Sequence, residues 1–184
     1  MTEEIKWAGI DIAREGDDCS VFTVRQGSKV IYIDAWAKTD LMETTGLILQ
    51  KIERFNLDPK NVNLDAVGVG AGVYDRLREL KVYVNGIIAG GEPADKEHYI
   101  NSRAEMYDNL RKRFEAGTIS IPDDQELIAQ LSSIRFKIAS DKKLQIVSKE
   151  DMKRQYRLKS PDKSDSLALA FYEPRQYNPN LRWL

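Results

Sequence analysis

Three strand-like segments follow one another at the start of the chain, and this succession limits the possible fold more than any other feature. They read KWAGIDIA, CSVFTVRQ and KVIYIDAWA, and only Gly27 and Ser28 separate the last two. The segments are rich in β-branched and aromatic residues, and a two-residue connection favours a β-hairpin. We therefore expect an antiparallel meander of three strands.

Helices and further strands alternate after this meander. The segment DLMETTGLILQKIERFN has apolar residues at helical spacing, with Asp40 as N-cap. A strand in NVNLDAVGV leads into a glycine turn that opens the helix GAGVYDRLRELK, and YVNGIIAG is a short strand. The remainder predicts helices in NSRAEMYDNLRKRFEAG, DDQELIAQLSSI, KEDMKRQYRL and SPDKSDSLALAFYE, the last capped by Ser160, and a hairpin that turns at SDKK. This order predicts an α/β fold, with a mixed central β-sheet and helices on both faces.

Composition narrows the class of protein. The 184 residues are 42% hydrophobic and contain no repeat or linker, which fits one domain. The 28 basic and 29 acidic residues nearly cancel, so any surface that binds nucleic acid must be local. A single cysteine, Cys19, excludes an internal disulfide framework. No apolar run approaches the roughly 20 residues that span a bilayer, so we expect a soluble domain without a membrane partner.

Aspartates occur where strands and a helix reach one rim of the predicted sheet. Asp11 ends the first strand, and Asp65 ends the fourth just before a glycine turn. Asp162 and Asp165 are three residues apart, on one face of the last helix. Converging carboxylates repel one another unless cations are present, and Mg²⁺ or Mn²⁺ is the usual ion for oxygen ligands. Two such ions about 4 Å apart would support an in-line phosphoryl transfer.

Each aspartate also has a structural interpretation. A single acidic residue such as Asp11 at a strand end is often a turn former or an ion-pair partner. Asp162, in the first turn of a helix, is also explained by the helix dipole. The joint arrangement of Asp11, Asp65 and Asp165, rather than any one of them, favours a metal site.

Two nucleotide-binding motifs are excluded. Gly68 and Gly70 begin a G-x-G-x-x-G pattern, but Val73 stands where its third glycine is required. No G-x-x-x-x-G-K-[ST] sequence occurs, so a phosphate-binding loop for ATP is not expected.

With these motifs in view, the chain resembles the nuclease domain of phage large terminase subunits, the packaging motors of tailed double-stranded DNA phages. The matching stretches are GIDIAREGDDCSVF, LDAVGVGAGVYDRL, NSRAEMYDNLRKRFEAG and KSPDKSDSLALAF, in the family's order and over most of the chain. The resemblance implies an RNase H-like fold related to RuvC-type resolvases. It also implies Mg²⁺- or Mn²⁺-dependent endonucleolytic cleavage of DNA concatemers during genome packaging, in the host cytoplasm.

The resemblance assigns roles to particular residues. The catalytic, metal-binding aspartates fall on Asp11, Asp65 and Asp165, and Asp162 matches a position that is acidic or histidine in relatives. Residues 1–184 would form a single nuclease domain without the N-terminal ATPase domain of family members. The portal and the small terminase subunit would be its partners in the assembled motor.

Local basic charge near the C-terminal end offers a surface for double-stranded DNA. Phosphate contacts through lysine and arginine are independent of sequence and sensitive to salt. The hairpin and the helical segment after it supply the candidate DNA-binding residues Lys137, Lys142, Lys143, Lys153 and Arg154. A solvated basic face remains the alternative interpretation.

Three functions are compatible with these features. The first is a metal-dependent DNA endonuclease with little sequence preference. The second is a RuvC-like junction resolvase, which would prefer branched DNA. The third is a DNA- or portal-docking module whose nuclease activity is latent until assembly.

Overall fold

The predicted meander is present in the structure, a computed structural model that describes residues 4–13, 19–148, 151 and 160–174. Strands β1 (Lys6–Asp11), β2 (Ser20–Gln26) and β3 (Lys29–Trp36) pair antiparallel in succession. Gly27, in the connection between β2 and β3, has a φ of 55°, a backbone conformation that glycine adopts without steric cost. The hairpin prediction is therefore confirmed.

Two parallel strands extend the meander into a mixed sheet. Strands β4 (Val62–Asp65) and β5 (Asn85–Ile87) add beside β1, giving the order β3-β2-β1-β4-β5. The β1–β4 and β4–β5 pairs are parallel. The crossovers that parallel strands require are made by helices α1 (Leu41–Arg54) and α2 (Val69–Glu79). The predicted mixed central sheet is confirmed.

Helices cover both faces of this sheet, as the sequence predicts. Ile48 of α1 and Leu77 of α2 pack with Ile10 and Leu64 in one apolar cluster. Leu110, Leu127 and Leu167 belong to a second cluster, and they come in turn from helices α3 (Ser102–Glu115), α4 (Gln125–Ser133) and α5 (Asp162–Ala170).

Helix α5 approaches the sheet so closely that one position must be glycine. A Cβ at Gly9 of β1 would lie 2.1 Å from the carbonyl oxygen of Ser166 and 2.3 Å from the nitrogen of Ala170. Ser166 Oγ also donates to the carbonyl oxygen of Gly9 at 2.8 Å. The missing side chain at Gly9 therefore fixes α5 against β1.

A separate hairpin lies beside the loop that precedes α3. Strands β6 (Phe136–Ile138) and β7 (Leu144–Ile146) pair antiparallel, as predicted. The amide of Leu144 donates to the carbonyl oxygen of His98 at 2.8 Å, and the amide of Ile100 donates to that of Leu144 at 3.1 Å. The hairpin is thus joined by its backbone to the segment that leads into α3.

The predicted glycine turn into helix α2 is confirmed, and the helix begins at Val69, one residue before the predicted segment GAGVYDRLRELK. Gly68 is the residue before the helix, with a φ of 65°, and Gly70 lies within the first turn. A Cβ at Gly70 would lie 1.9 Å from the carbonyl oxygen of Asp65. The glycine thus permits the chain to turn tightly from β4 into α2.

The predicted cap of α5 is wrong. Pro161, and not Ser160, occupies the N-cap position, and it makes no side-chain cap. The first-turn amide of Ser164 donates instead to Oε1 of Gln130 in α4, at 3.0 Å. A tertiary contact therefore replaces the local one. The helix predicted in KEDMKRQYRL falls almost entirely outside the described residues.

Among the helices that the structure describes, none has the length and apolar character needed to cross a membrane.

Candidate active site

Two of the predicted site residues end neighbouring parallel strands. Ile10 of β1 pairs with Leu64 of β4, so the next position along both strands brings Asp11 beside Asp65. Neighbouring strands lie about 4.8 Å apart, which puts the two residues side by side at the carboxyl ends of the strands. Asp11 is buried and Asp65 is half-buried.

Both aspartates lie on the face of the sheet that α5 covers. Gly9 and Asn63, two residues before them, contact the backbone of α5, through the close approach at Gly9 and a hydrogen bond from Asn63 Nδ2. Because side chains alternate along a strand, Asp11 and Asp65 point to this same face.

Asp165, in the first turn of α5, is held by two side chains from α3. Its Oδ1 accepts a hydrogen bond from the Tyr107 hydroxyl at 2.7 Å. The same oxygen accepts from Nη2 and Nε of Arg103 at 3.2 and 3.4 Å. Asp65 and Asp165 both line a cavity of about 60 Å³, together with Arg103 and Tyr107. The structure therefore brings Asp65 and Asp165 to one cavity.

Asp162 lies towards the other side of the α5 N-terminus. Its Oδ2 accepts a hydrogen bond from the backbone amide of Cys19 at 3.0 Å, and Cys19 immediately precedes β2. Because β2 neighbours β1 on the side away from β4, this hydrogen bond ties Asp162 to the β2 side of the sheet.

The buried environment fixes the charges around Asp165. Burial lowers the pKa of Arg103, but the neighbouring Asp165 and Tyr107 together raise it by more. The pKa of Arg103 therefore lies above its usual value. Burial and then the Asp165 carboxylate raise the pKa of Tyr107 well above its usual value. Arg103 is therefore charged and Tyr107 protonated over the whole physiological range, and both donate to the carboxylate.

The donor set has the chemistry of a site for a hard divalent cation. Carboxylates suit Mg²⁺ and Mn²⁺, and Oδ1 of Asp65 and Oδ2 of Asp165 are buried oxygens of this kind. Within the part of the chain that the structure describes, however, no three His, Cys, Asp or Glu side chains converge into a ready-made metal site. The aspartates thus suit a divalent metal ion because they carry carboxylate oxygens and lie at the same edge of the sheet. Arg103 holds one of them, Asp165, by hydrogen bonds.

The predicted DNA-binding residues fall partly on the β6–β7 hairpin. Lys137 and Lys142 are exposed, and Lys143 is half-buried, with its Nζ 3.7 Å from Oδ2 of Asp141. Lys142 adopts a φ of 67° at the turn. The other two candidates, Lys153 and Arg154, lie outside the described residues.

Sequence reasoning missed Arg103 and Tyr107. Their spacing of four residues puts them on one face of a helix, and this spacing is the sequence feature that could have identified them as a pair. Nothing local indicates that this face meets Asp165, which lies 58 residues beyond Tyr107.

Comparison with known proteins gives a structural match only. No protein-family model and no curated protein matches the sequence. The nuclease domain of the large terminase subunit gp2 of bacterial virus Sf6 superposes with a TM-score of 0.84, at 20% identity over 95% of this chain and 90% of that one. The large terminase nuclease from thermophilic phage G20c gives 0.69, at 18% identity over 91% and 81%. The large terminase nuclease domain of Thermus phage P74-26 gives 0.64, at 16% identity over 91% and 78%.

These matches confirm the fold that the resemblance implied. The chain has the α/β fold of large terminase nuclease domains, with the mixed sheet flanked by helices. Structures of a point mutant of the Sf6 domain have been obtained with manganese and with calcium, and structures of the G20c nuclease with magnesium and with cobalt bound.

Proposed function

We propose that this chain, which has the fold of phage large terminase nucleases, is a metal-dependent endonuclease that cuts double-stranded DNA concatemers during phage genome packaging. The observation that carries the proposal is the position of three aspartates. Asp11 and Asp65 end neighbouring parallel strands, and Asp165 lies in the first turn of the helix packed on their face. In an α/β sheet, the carboxyl ends of parallel strands are where ligands bind.

Asp11, Asp65 and Asp165 are proposed to hold two Mg²⁺ or Mn²⁺ ions, with Asp162 as a further ligand. Divalent ions at such a site support in-line hydrolysis of a phosphodiester by activating the attacking water and stabilising the leaving oxygen. Manganese and magnesium in structures of the Sf6 and G20c domains support this choice of ions.

The protein's own contribution is to hold the carboxylates in place. The close packing of α5 on β1 at Gly9 restrains Asp165 relative to Asp11. The Tyr107 hydroxyl fixes one oxygen of Asp165. Restraint of this kind matters because small displacements of catalytic groups lower rates strongly.

DNA is proposed to be held through its phosphates, without reading of bases. Lys137, Lys142 and Lys143 on the β6–β7 hairpin would contact the backbone, together with Lys153 and Arg154. The hairpin is linked by its backbone to the segment leading into α3, whose Arg103 side chain reaches the aspartate site. Contacts of this type give little sequence preference and a steep salt dependence.

The proposed function also implies a cellular location and protein partners. The chain would act as a single nuclease domain, residues 1–184, in a packaging motor in the host cytoplasm, with the portal and the small terminase subunit as partners.

Cleavage of supercoiled plasmid by the purified protein tests the proposal. The parent is expected to nick and linearise plasmid with Mg²⁺ or Mn²⁺, to stop in EDTA, and to recover when the ion is returned. Asp11→Asn and Asp65→Asn should lower cleavage by orders of magnitude while keeping the melting temperature, because they remove charge but not shape. Asp75→Asn, at an exposed position on α2, is the matched control and should cleave like the parent.

Asp165→Asn is a poorer test because it has a second effect. The change leaves the buried Arg103 guanidinium beside a neutral group, which lowers stability as well as activity. Cleavage by the parent that persists in EDTA would contradict the metal mechanism. Full cleavage by folded Asp11→Asn would contradict the assignment of that aspartate.

A further inference from the structure

Arg103 is a largely buried arginine beside Asp165 in the aspartate site. Its side chain is 14% exposed, and the Asp165 side chain that it contacts is 11% exposed. The guanidinium lies over the Tyr107 ring, 5.2 Å from the ring centroid. It lines the same cavity as Asp65 and Asp165. An arginine therefore occupies a position next to two proposed metal ligands.

The positive charge of Arg103 balances the negative charge of the buried Asp165 carboxylate. A buried carboxylate without a counter-charge is strongly unfavourable, and Arg103 compensates the charge of Asp165. Tyr107 and Arg103 both donate to the same oxygen, Oδ1. A divalent cation held by Asp65 and Asp165 would be repelled by the guanidinium, because both are positive and share one small cavity.

We propose that Arg103 is a built-in counter-cation for the metal site, and that a divalent ion and the Arg103 guanidinium compete for Asp165. This inference rests on the proposed function, since it concerns the ions that the aspartates would hold. Arg103 is accordingly a positioning residue: it keeps Asp165 in place when no ion is bound, and it limits the affinity for the ion. Tyr107, which is neutral, keeps its hydrogen bond to Asp165 in either case.

Manganese binding measures this competition without any cleavage. Arg103→Gln should bind Mn²⁺ on the order of tenfold more tightly than the parent, because a nearby like charge is removed. Arg103→Lys keeps the charge and should bind within about twofold of the parent. Arg111→Gln, on the same helix but paired with Asp108 and Glu115, is the matched control and should bind like the parent. Calorimetry, or electron paramagnetic resonance of free Mn²⁺, gives the dissociation constants.

A nuclear magnetic resonance titration of the parent protein covers the case in which Arg103→Gln does not fold. The Nε–Hε signal of Arg103, identified by its loss in Arg103→Lys, should shift progressively as Mg²⁺ is added. The shift is expected because the bound ion repels the guanidinium and weakens its hydrogen bonds to Oδ1 of Asp165.

The outcomes separate this inference from the proposed function. If the parent binds Mn²⁺ but folded Arg103→Gln binds with equal or lower affinity, the inference is wrong and the proposed function stands. An Arg103 signal that stays fixed while Mg²⁺ saturates the protein would likewise overturn the inference alone. A parent that binds no divalent ion and cleaves in EDTA overturns both.

Discussion

Gly9 shows how a single residue determines where the proposed site can form. The backbone of α5 occupies the space that a side chain at Gly9 would fill. The same helix carries Asp165, so the distance between α5 and β1 also sets the position of that carboxylate. The packing of α5 on β1 and the position of the Asp165 carboxylate therefore both depend on the absence of a side chain at Gly9.

Replacing Gly9 with alanine should lower the free energy of unfolding by about 3 kcal/mol, because the new methyl group meets backbone atoms that cannot move independently. Gly46→Ala, in α1, is the matched control. A Cβ at Gly46 meets nothing within 4 Å, so alanine there should raise the free energy of unfolding by roughly 0.5–1 kcal/mol. Urea unfolding measures both, and a Gly9→Ala protein as stable as the parent would contradict the packing of α5 on β1.

Residues also mark the limit of what the sequence predicts. Asp11 and Asp65 could be placed at one rim because strand ends are recognisable from local pattern and order. Arg103 and Tyr107 could not, because their role depends on which face of α3 meets α5. The Ser160 cap was a local expectation, and it failed because Gln130 satisfies the Ser164 amide from another helix.

At the scale of elements, α4 holds the N-terminus of α5 through an ion pair as well as through Gln130. Asp124 caps α4 by accepting from the amides of Glu126 and Leu127, and Lys163 of α5 donates to its other oxygen at 2.7 Å. Burial raises the pKa of Asp124, but Lys163 and the helix amides lower it more, so its pKa lies below the usual 3.8.

This ion pair should give a pH-dependent contribution to stability. A carboxyl with a depressed pKa stabilises the folded state fully above its unfolded pKa, near 3.8, and less as the pH falls through the folded value. Asp124→Asn keeps the cap but loses the charge, so it should lower the free energy of unfolding by roughly 0.5–1 kcal/mol at pH 7. The difference from the parent should shrink as the pH falls below 3.8.

Urea unfolding at pH 7 and at pH 3 checks this expectation. Asp123→Asn, at the exposed neighbouring position, should differ little from the parent at either pH. A deficit of Asp124→Asn that is equally large at both values would mean that charge is not its cause.

The proposed role of the β6–β7 hairpin in DNA binding can be tested by replacing two of its lysines. The double variant Lys142→Gln/Lys143→Gln should bind duplex DNA more weakly and reduce the slope of log affinity against log salt by about 2. Lys143 should contribute less than Lys142 to this loss of affinity, because Lys143 lies near the carboxylate of Asp141. Fluorescence anisotropy over a range of salt concentrations measures the slope.

The control for the hairpin is a double variant with the same charge change elsewhere. Lys60→Gln/Lys81→Gln removes two exposed lysines, one between α1 and β4 and the other after α2. It should leave the slope within experimental scatter of the parent. Equal effects of the two double variants would mean that DNA binding depends on total charge and not on the hairpin.

At the scale of the whole molecule, sequence order predicted the architecture well. The meander, the parallel strands and the helices on both faces follow from local patterns and short connections. The Asp40 cap of α1 is also local, and the structure contains it as a capping box with Glu43. The glycine turn from β4 into α2 is also local, and it needs a glycine at position 70 because a Cβ there would lie 1.9 Å from the carbonyl oxygen of Asp65.

The proposed function depends above all on one rim of this molecule holding divalent metal ions through its aspartates. Crystals of the parent soaked in Mn²⁺, with diffraction recorded at the manganese absorption edge, test this directly. We expect anomalous density between the carboxylates of Asp11, Asp65 and Asp165, with Arg103 moved away from Asp165. Strong anomalous density elsewhere, with none at these carboxylates in a protein that cleaves DNA, would show that the metal site lies in another place.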